Sequence, residues 1–72
     1  MAKQRNLVGS SVLAKLGPNL KKFRQRRGYT QRQLAEKVGV TRVYMGYLEQ
    51  QREHPSLKLL AELAQQLRVK IE

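Results

Sequence analysis

The sequence predicts an all-α fold, a small bundle of four to five short helices that includes a helix-turn-helix. Three observations lead there. Apolar residues recur at helical spacing in short blocks. Start and stop signals separate those blocks at close intervals: Gly17-Pro18, Gly28, Thr30, Gly39, Thr41 and Pro55-Ser56. The chain has 72 residues and no cysteine, so its core must come from packing alone. A chain of this size buries only about 60% of the surface its unfolded form exposes, and helices joined by short loops are the least costly way to do so.

Residues 1 to 15 show no convincing pattern and are expected to form a flexible basic arm, with residues 16 to 72 as the single domain. Ser11 to Leu16 could add a helical turn. A first helix is expected from Pro18, because proline suits the first helical position, and it runs to Arg27. Leu20 and Phe23 lie one turn apart on it, and Gly28 ends it in a left-handed cap. Thr30 opens the second helix, with Gln33 three residues on to complete a capping box. Leu34, Ala35 and Val38 share its apolar face, and Gly39 stops it. Val40 plugs the turn, and Thr41 caps a third helix from Arg42 to Glu49 or Gln50.

At roughly 100° per residue, Met45 and Leu48 of that third helix point one way. Arg42, Val43, Gly46, Tyr47 and Gln50 point the other, with Tyr44 and Glu49 on the flanks. His54-Pro55 breaks the chain, since a residue before proline avoids the helical region. Ser56 caps a fourth helix offering Leu57, Leu60, Ala61, Leu63, Ala64 and Leu67 to the core. Val69 and Ile71 are too few to seed a full fifth helix. The pair from Thr30 to Glu49 is the most informative stretch: such a pair can hold its second helix out, free to enter a DNA groove.

Charge narrows the partner. Fifteen Lys and Arg stand against five acids, a formal net charge of +10. Eight of the bases lie in residues 1 to 27 (Lys3, Arg5, Lys15, Lys21, Lys22, Arg24, Arg26 and Arg27), a stretch without a single acid. Such a field captures polyanions, whether nucleic acid or an anionic surface; the bland alternative is a charge that serves solubility. Charge alone does not choose between DNA, RNA and lipid. No apolar run approaches the roughly 20 residues of a membrane span and no signal-peptide core follows Met1, so a soluble, cytoplasmic protein is expected. Catalysis finds no footing: the single His54 precedes a proline, and there is no Cys and no Asp. Neither enzyme activity, nor a metal, nor a cofactor is expected.

Residues 16 to 69 resemble the lambda-repressor-like, Cro-type helix-turn-helix family, also called the xenobiotic-response-element family. The matching signature is Leu16-Gly17, Leu20, Phe23-Arg24, Gly28-Tyr29-Thr30-Gln31, Leu34-Ala35, Gly39-Val40-Thr41, Met45, Leu48-Glu49, Pro55-Ser56-Leu57 and Ala64-Gln65-Gln66-Leu67. The resemblance implies DNA-binding transcriptional regulators, usually dimeric, that reach operators with the third helix. Two positions depart from it. The family usually has glycine where Gln51 stands, and a left-handed backbone strains any other residue, so the loop at 50 to 54 is expected to take another path. Relatives often have serine where Gly46 stands, and glycine there costs about 1 kcal/mol of helix propensity relative to alanine.

The same resemblance places the site residues. Arg42, Val43, Gly46 and Tyr47 are expected at the bases. Arg42 would fork two donors onto a guanine, or else act as a phosphate clamp or a solvated surface arginine. Val43 would meet a thymine methyl, or be partly buried in the turn. Tyr47 would stack or hydrogen-bond at a base edge or sugar, or pack against a partner subunit or the 50 to 54 loop. Gln31, Tyr44, Gln50 and Arg52 are expected at phosphates, where contacts position the protein rather than read sequence. Gln31, as the first residue of its helix, also has free N–H groups and the helix dipole to offer an anion; alternatively it is only a good helix starter. Arg24 and Glu49 match family positions that form a structural ion pair between the first and third helices. The basic arm would either enter a minor groove or act as a tail that adds attraction.

The expected function is sequence-specific transcriptional regulation, by repression, through the third helix in the major groove of double-stranded DNA. A homodimer on a palindromic operator is the expected assembly. Alternatives on the same fold are a restriction–modification controller, which the run Arg42-x-Tyr44-Met45-x-x-Leu48-Glu49 also resembles, and an antitoxin. From other classes come a protein-interaction module that uses the same helices and a basic helix on a membrane surface. The latter is disfavoured because the core needs the apolar faces.

Overall fold

The structure, a computed structural model, describes residues 15 to 69. The basic arm falls outside them apart from Lys15, and so does Ile71. The described residues form four helices and no strand: α1 Leu16–Arg26, α2 Gln31–Val38, α3 Arg42–Glu49 and α4 Leu57–Leu67. The α2 helix packs on both α3 and α4, and α1 packs on α3. All four enclose one core of Leu20, Leu34, Ala35, Met45, Leu48, Leu59, Leu63 and Leu67. Phe23, Tyr29, Val38, Val40, Tyr44 and Val69 pack around its edge.

The helix starts follow side-chain chemistry. Thr30 and Gln33 form the full capping box of α2: the Gln33 N–H donates to the Thr30 hydroxyl at 3.0 Å, and the Thr30 N–H donates to Gln33 Oε1 at 2.8 Å. Thr41 accepts from the Tyr44 N–H at 3.0 Å and Ser56 from the Leu59 N–H at 3.1 Å. In contrast, α1 begins at Leu16, ahead of Pro18 where the sequence signal lay. The first helical bond runs from the Asn19 N–H to the Lys15 carbonyl at 2.9 Å. Pro18 therefore sits third in the helix, still within the first turn, where a missing N–H leaves nothing unpaired. Lys15 gives no side-chain cap; instead Gln51 Oε1, from across the molecule, accepts the Gly17 N–H at 2.5 Å.

The helix ends share one device. Gly28, Gly39, Gln51 and Arg68 all carry a left-handed backbone, with φ of 78°, 78°, 64° and 58°. In each case the next residue's N–H reaches back to a carbonyl in the last turn: Tyr29 to Arg24 at 3.1 Å, Val40 to Ala35 at 3.0 Å, Arg52 to Tyr47 at 2.9 Å and Val69 to Ala64 at 3.0 Å. These are the long bonds of the Schellman motif. The loop after α3 thus keeps the left-handed turn, contrary to the expectation that glutamine would divert it. Here the hydrogen bond from Gly17 to the Gln51 side chain helps offset the strain of about 1 kcal/mol or more.

The core face of α4 also differs from expectation. Leu57 is 84% exposed and Ala61 is exposed, while Leu59, which the sequence reading passed over, is buried. The inward row is Leu59, Leu63 and Leu67, at intervals of four. Leu57 and Ala61 each lie two positions from that row, about 200° of helix rotation, and so face solvent.

Candidate nucleic-acid interface

The turn Gly39-Val40-Thr41 holds α3 against α2 and leaves one side of α3 open. Beneath, Met45 and Leu48 are 0% and 2% exposed and anchor the helix in the core. Above, Arg42 is exposed at the first position of the helix. Val43 is 53% exposed and Tyr47, one turn further on, 38%. These are two of the three exposed large apolar side chains among the described residues, and both lie on this surface. Gln50 and Arg52 are exposed just beyond the helix end. Arg42, Val43, Tyr47, Gln50 and Arg52 therefore border a single face.

Gly46 does not lie on that open surface. It is buried, and a Cβ there would stand 3.8 Å from Gln31 Oε1 and 3.9 Å from Gln31 Nε2. The glutamine at the start of α2 leans over the space a side chain at 46 would fill. Its amide is engaged: Gln31 Nε2 donates to Glu49 Oε1 at 3.0 Å. No acidic residue occupies the first turn of any of the four helices, so the positive ends of their dipoles are not neutralised locally.

Glu49 is the hub beneath this rim. Arg24 Nε donates to Glu49 Oε2 at 2.5 Å, and Arg24 Nη2 to Glu49 Oε1 at 3.1 Å. The third arm of the guanidinium, Nη1, donates to the Tyr29 carbonyl at 2.8 Å. The two side chains are 10% and 4% exposed. This forked, charge-assisted geometry ties α1, the α1–α2 turn and the end of α3 together. Through Gln31 it extends to the start of α2. The sequence reading named the Arg24 and Glu49 positions but missed Gln31 as their third member. Spacing along the chain contains no sign of that link, because Gln31 and Glu49 lie on different helices.

Tyr44 sits half-buried on the flank, and its hydroxyl donates to the His54 carbonyl at the long distance of 3.5 Å. Arg52 folds back over the Tyr47 ring, its guanidinium carbon 4.9 Å from the ring centroid. That contact joins two residues that sequence reading had given separate tasks.

A solvent-facing helix of mixed basic, apolar and aromatic residues, second of a pair joined by a tight turn, defines a helix-turn-helix protein. The chain belongs to the lambda-repressor-like helix-turn-helix family, whose model matches residues 20–72. Its relatives include two uncharacterized HTH-type transcriptional regulators of Archaeoglobus fulgidus. One is 40% identical over 53 residues, covering 74% of this chain and 76% of the relative. The other is 42% identical over 53 residues, covering 74% and 75%. No solved structure matches the chain significantly. Among the described residues, no helix is long and apolar enough to cross a membrane.

Proposed function

We propose that the protein is a sequence-specific DNA-binding transcriptional regulator, acting as a repressor in the cytoplasm, that reads the major groove with α3. The observation that carries this reading is the open face of α3. Arg42, Val43 and Tyr47 stand exposed on a helix whose opposite side is locked in the core. Family membership and the two related regulators support the same class of function. Arg42 supplies a forked donor for guanine and Val43 an apolar contact for a thymine methyl. Tyr47 offers its ring edge and hydroxyl to a base or sugar. Gly46, covered by Gln31, contributes clearance for the backbone rather than a reading group.

Gln31, Gln50 and Arg52 form the phosphate-gripping rim on either side of α3, and Tyr44 joins it when its hydroxyl turns from the long contact with the His54 carbonyl to a phosphate. The chain's net charge of +10 draws DNA to this face. Repression follows from occupancy alone, since a bound protein excludes polymerase without any chemistry. Two copies on a palindromic operator would set their α3 helices about 34 Å apart, one turn of duplex. Selection of bound duplexes from a random pool tests the reading. The expected result is an enriched motif with two inverted half-sites. A pool that stays random while binding persists would remove the sequence-specific claim. With about four phosphates neutralised per protomer, log affinity is expected to fall by roughly 3.6 per log unit of salt.

A further inference from the structure

We infer that Tyr47 and Arg52 act as one DNA-gripping unit, in which the tyrosine ring holds the Arg52 guanidinium ready for a backbone phosphate. This deepens the DNA-binding reading above and rests on it.

The turn after α3 creates the pairing. Gln51 takes a left-handed φ of 64°, which sends the Arg52 N–H back to the Tyr47 carbonyl at 2.9 Å. In this motif the side chain after the left-handed residue lies against the residue three before the helix cap, ordinarily as an apolar contact. Here the contact is a cation on a ring, with the guanidinium carbon 4.9 Å from the Tyr47 centroid. That is within the roughly 6 Å reach of a cation–π attraction. Both residues remain exposed, and among the described residues no carboxylate pairs with Arg52. The charge is therefore held but not neutralised.

Stacking suits this task. A guanidinium spends its face on the ring and keeps its N–H donors, which lie in its plane, for an anion at the edge. Two such donors match two phosphate oxygens. A free arginine of this length loses side-chain freedom when it grips a phosphate; one already resting on a ring loses less. The eight residues of α3 span roughly 12 Å, so Arg42 and this pair bracket the helix from opposite ends. Tyr47 thereby contributes to affinity through a residue it positions, apart from any base its own edge meets.

Binding to a duplex of random sequence isolates the effect, because base readout contributes nothing there. The variants are Arg52→Ala, Tyr47→Ala, the double variant, and Tyr47→Phe, each checked for folding by circular dichroism. Arg52→Ala is expected to weaken binding severalfold and to flatten the salt slope by about 0.9. Tyr47→Ala, which removes no charge, is expected to weaken binding in the same direction and flatten the slope in part. The double variant should bind within twofold of Arg52→Ala, and Tyr47→Phe, which keeps the ring under Arg52, should keep the salt slope of the unaltered protein. Losses that multiply in the double variant, or a Tyr47→Ala protein with unchanged slope, would overturn the pairing alone. An unaltered protein that binds no duplex would overturn the DNA-binding reading and this inference with it.

Discussion

Gly46 and Gln51 are the two residues where this chain departs from its family's habit, and each has a local physical cost with a visible counterpart. Gly46 lies in mid-helix, where glycine forfeits about 1 kcal/mol relative to alanine. A Cβ there meets only the Gln31 amide at ordinary van der Waals distance, 3.8 Å and 3.9 Å. Gly46→Ala is therefore expected to raise stability by about 1 kcal/mol in urea unfolding. If glycine serves close approach of α3 to DNA, the same variant will bind DNA more weakly while being more stable. Gain in both would remove that account of the residue.

Gln51 combines a strained backbone with a useful side chain, and substitution separates the two. Gln51→Ala keeps the strain and loses the acceptor for the Gly17 N–H, so it should destabilise by about 1 kcal/mol. Gln51→Gly loses the same acceptor but relieves the left-handed strain, so it should be close to neutral. Chemical unfolding of the pair reads the difference, and alanine more stable than glycine would contradict it. The α1 side of this contact is equally tight. A Cβ at Gly17 would collide with the Glu49 carbonyl and lie 2.8 Å from the Leu48 carbonyl, so α1 meets the end of α3 at a position only glycine fits.

At the scale of elements, the Arg24–Glu49–Gln31 network decides how α3 is held. The pair is buried and forked, so removing one partner strands the other away from water. Glu49→Ala is expected to destabilise by about 3 kcal/mol. A double replacement by apolar residues of similar volume, Arg24→Met with Glu49→Leu, should lose less than either single change, since no charge is left unpaired. Thermal unfolding of the three variants checks the order; a double variant that loses the sum of the singles would show that the network is worth its full geometry.

Elements were legible in the sequence where a local rule governed them. The Thr30–Gln33 capping box, the Thr41 and Ser56 caps and the stops at Gly28 and Gly39 each depend on residues within one turn of each other. The boundaries of α3 were readable for the same reason. What escaped depended on contacts between distant segments. The start of α1 depends on Gln51, which accepts the Gly17 N–H from 34 positions away. The left-handed turn at Gln51 has its compensation in that same contact. Leu59 faces the core and Leu57 the solvent because of how α4 meets α2, and an apolar stretch such as Leu57, Leu59 and Leu60 does not itself say which side that is. The candidate site was legible as a face, through periodicity and resemblance; its internal links, Gln31 to Glu49 and Arg52 to Tyr47, were not.

At the scale of the molecule, a chain of 72 residues with a net charge of +10 divides its work between a compact apolar core and a basic exterior. The core consists mainly of leucine, and the one buried ion pair among the described residues sits at its margin. Self-repulsion among fifteen bases opposes folding, and a polyanion that binds this exterior relieves it, so DNA is expected to stabilise the fold. The same positive field supplies affinity without sequence preference. On the proposed reading, discrimination comes from the few side chains on the open face of α3.

The central claim is that α3 reads base sequence, and Arg42→Ala tests it most directly. The affinities of the unaltered and Arg42→Ala proteins would be measured on a selected operator, on operators changed at one base pair, and on random duplex. The account predicts a loss of about 1–3 kcal/mol on the operator and loss of preference at a single base pair. On random duplex the loss should be small, no more than one charge explains. Equal weakening on operator and random DNA, with every base preference intact, would contradict it.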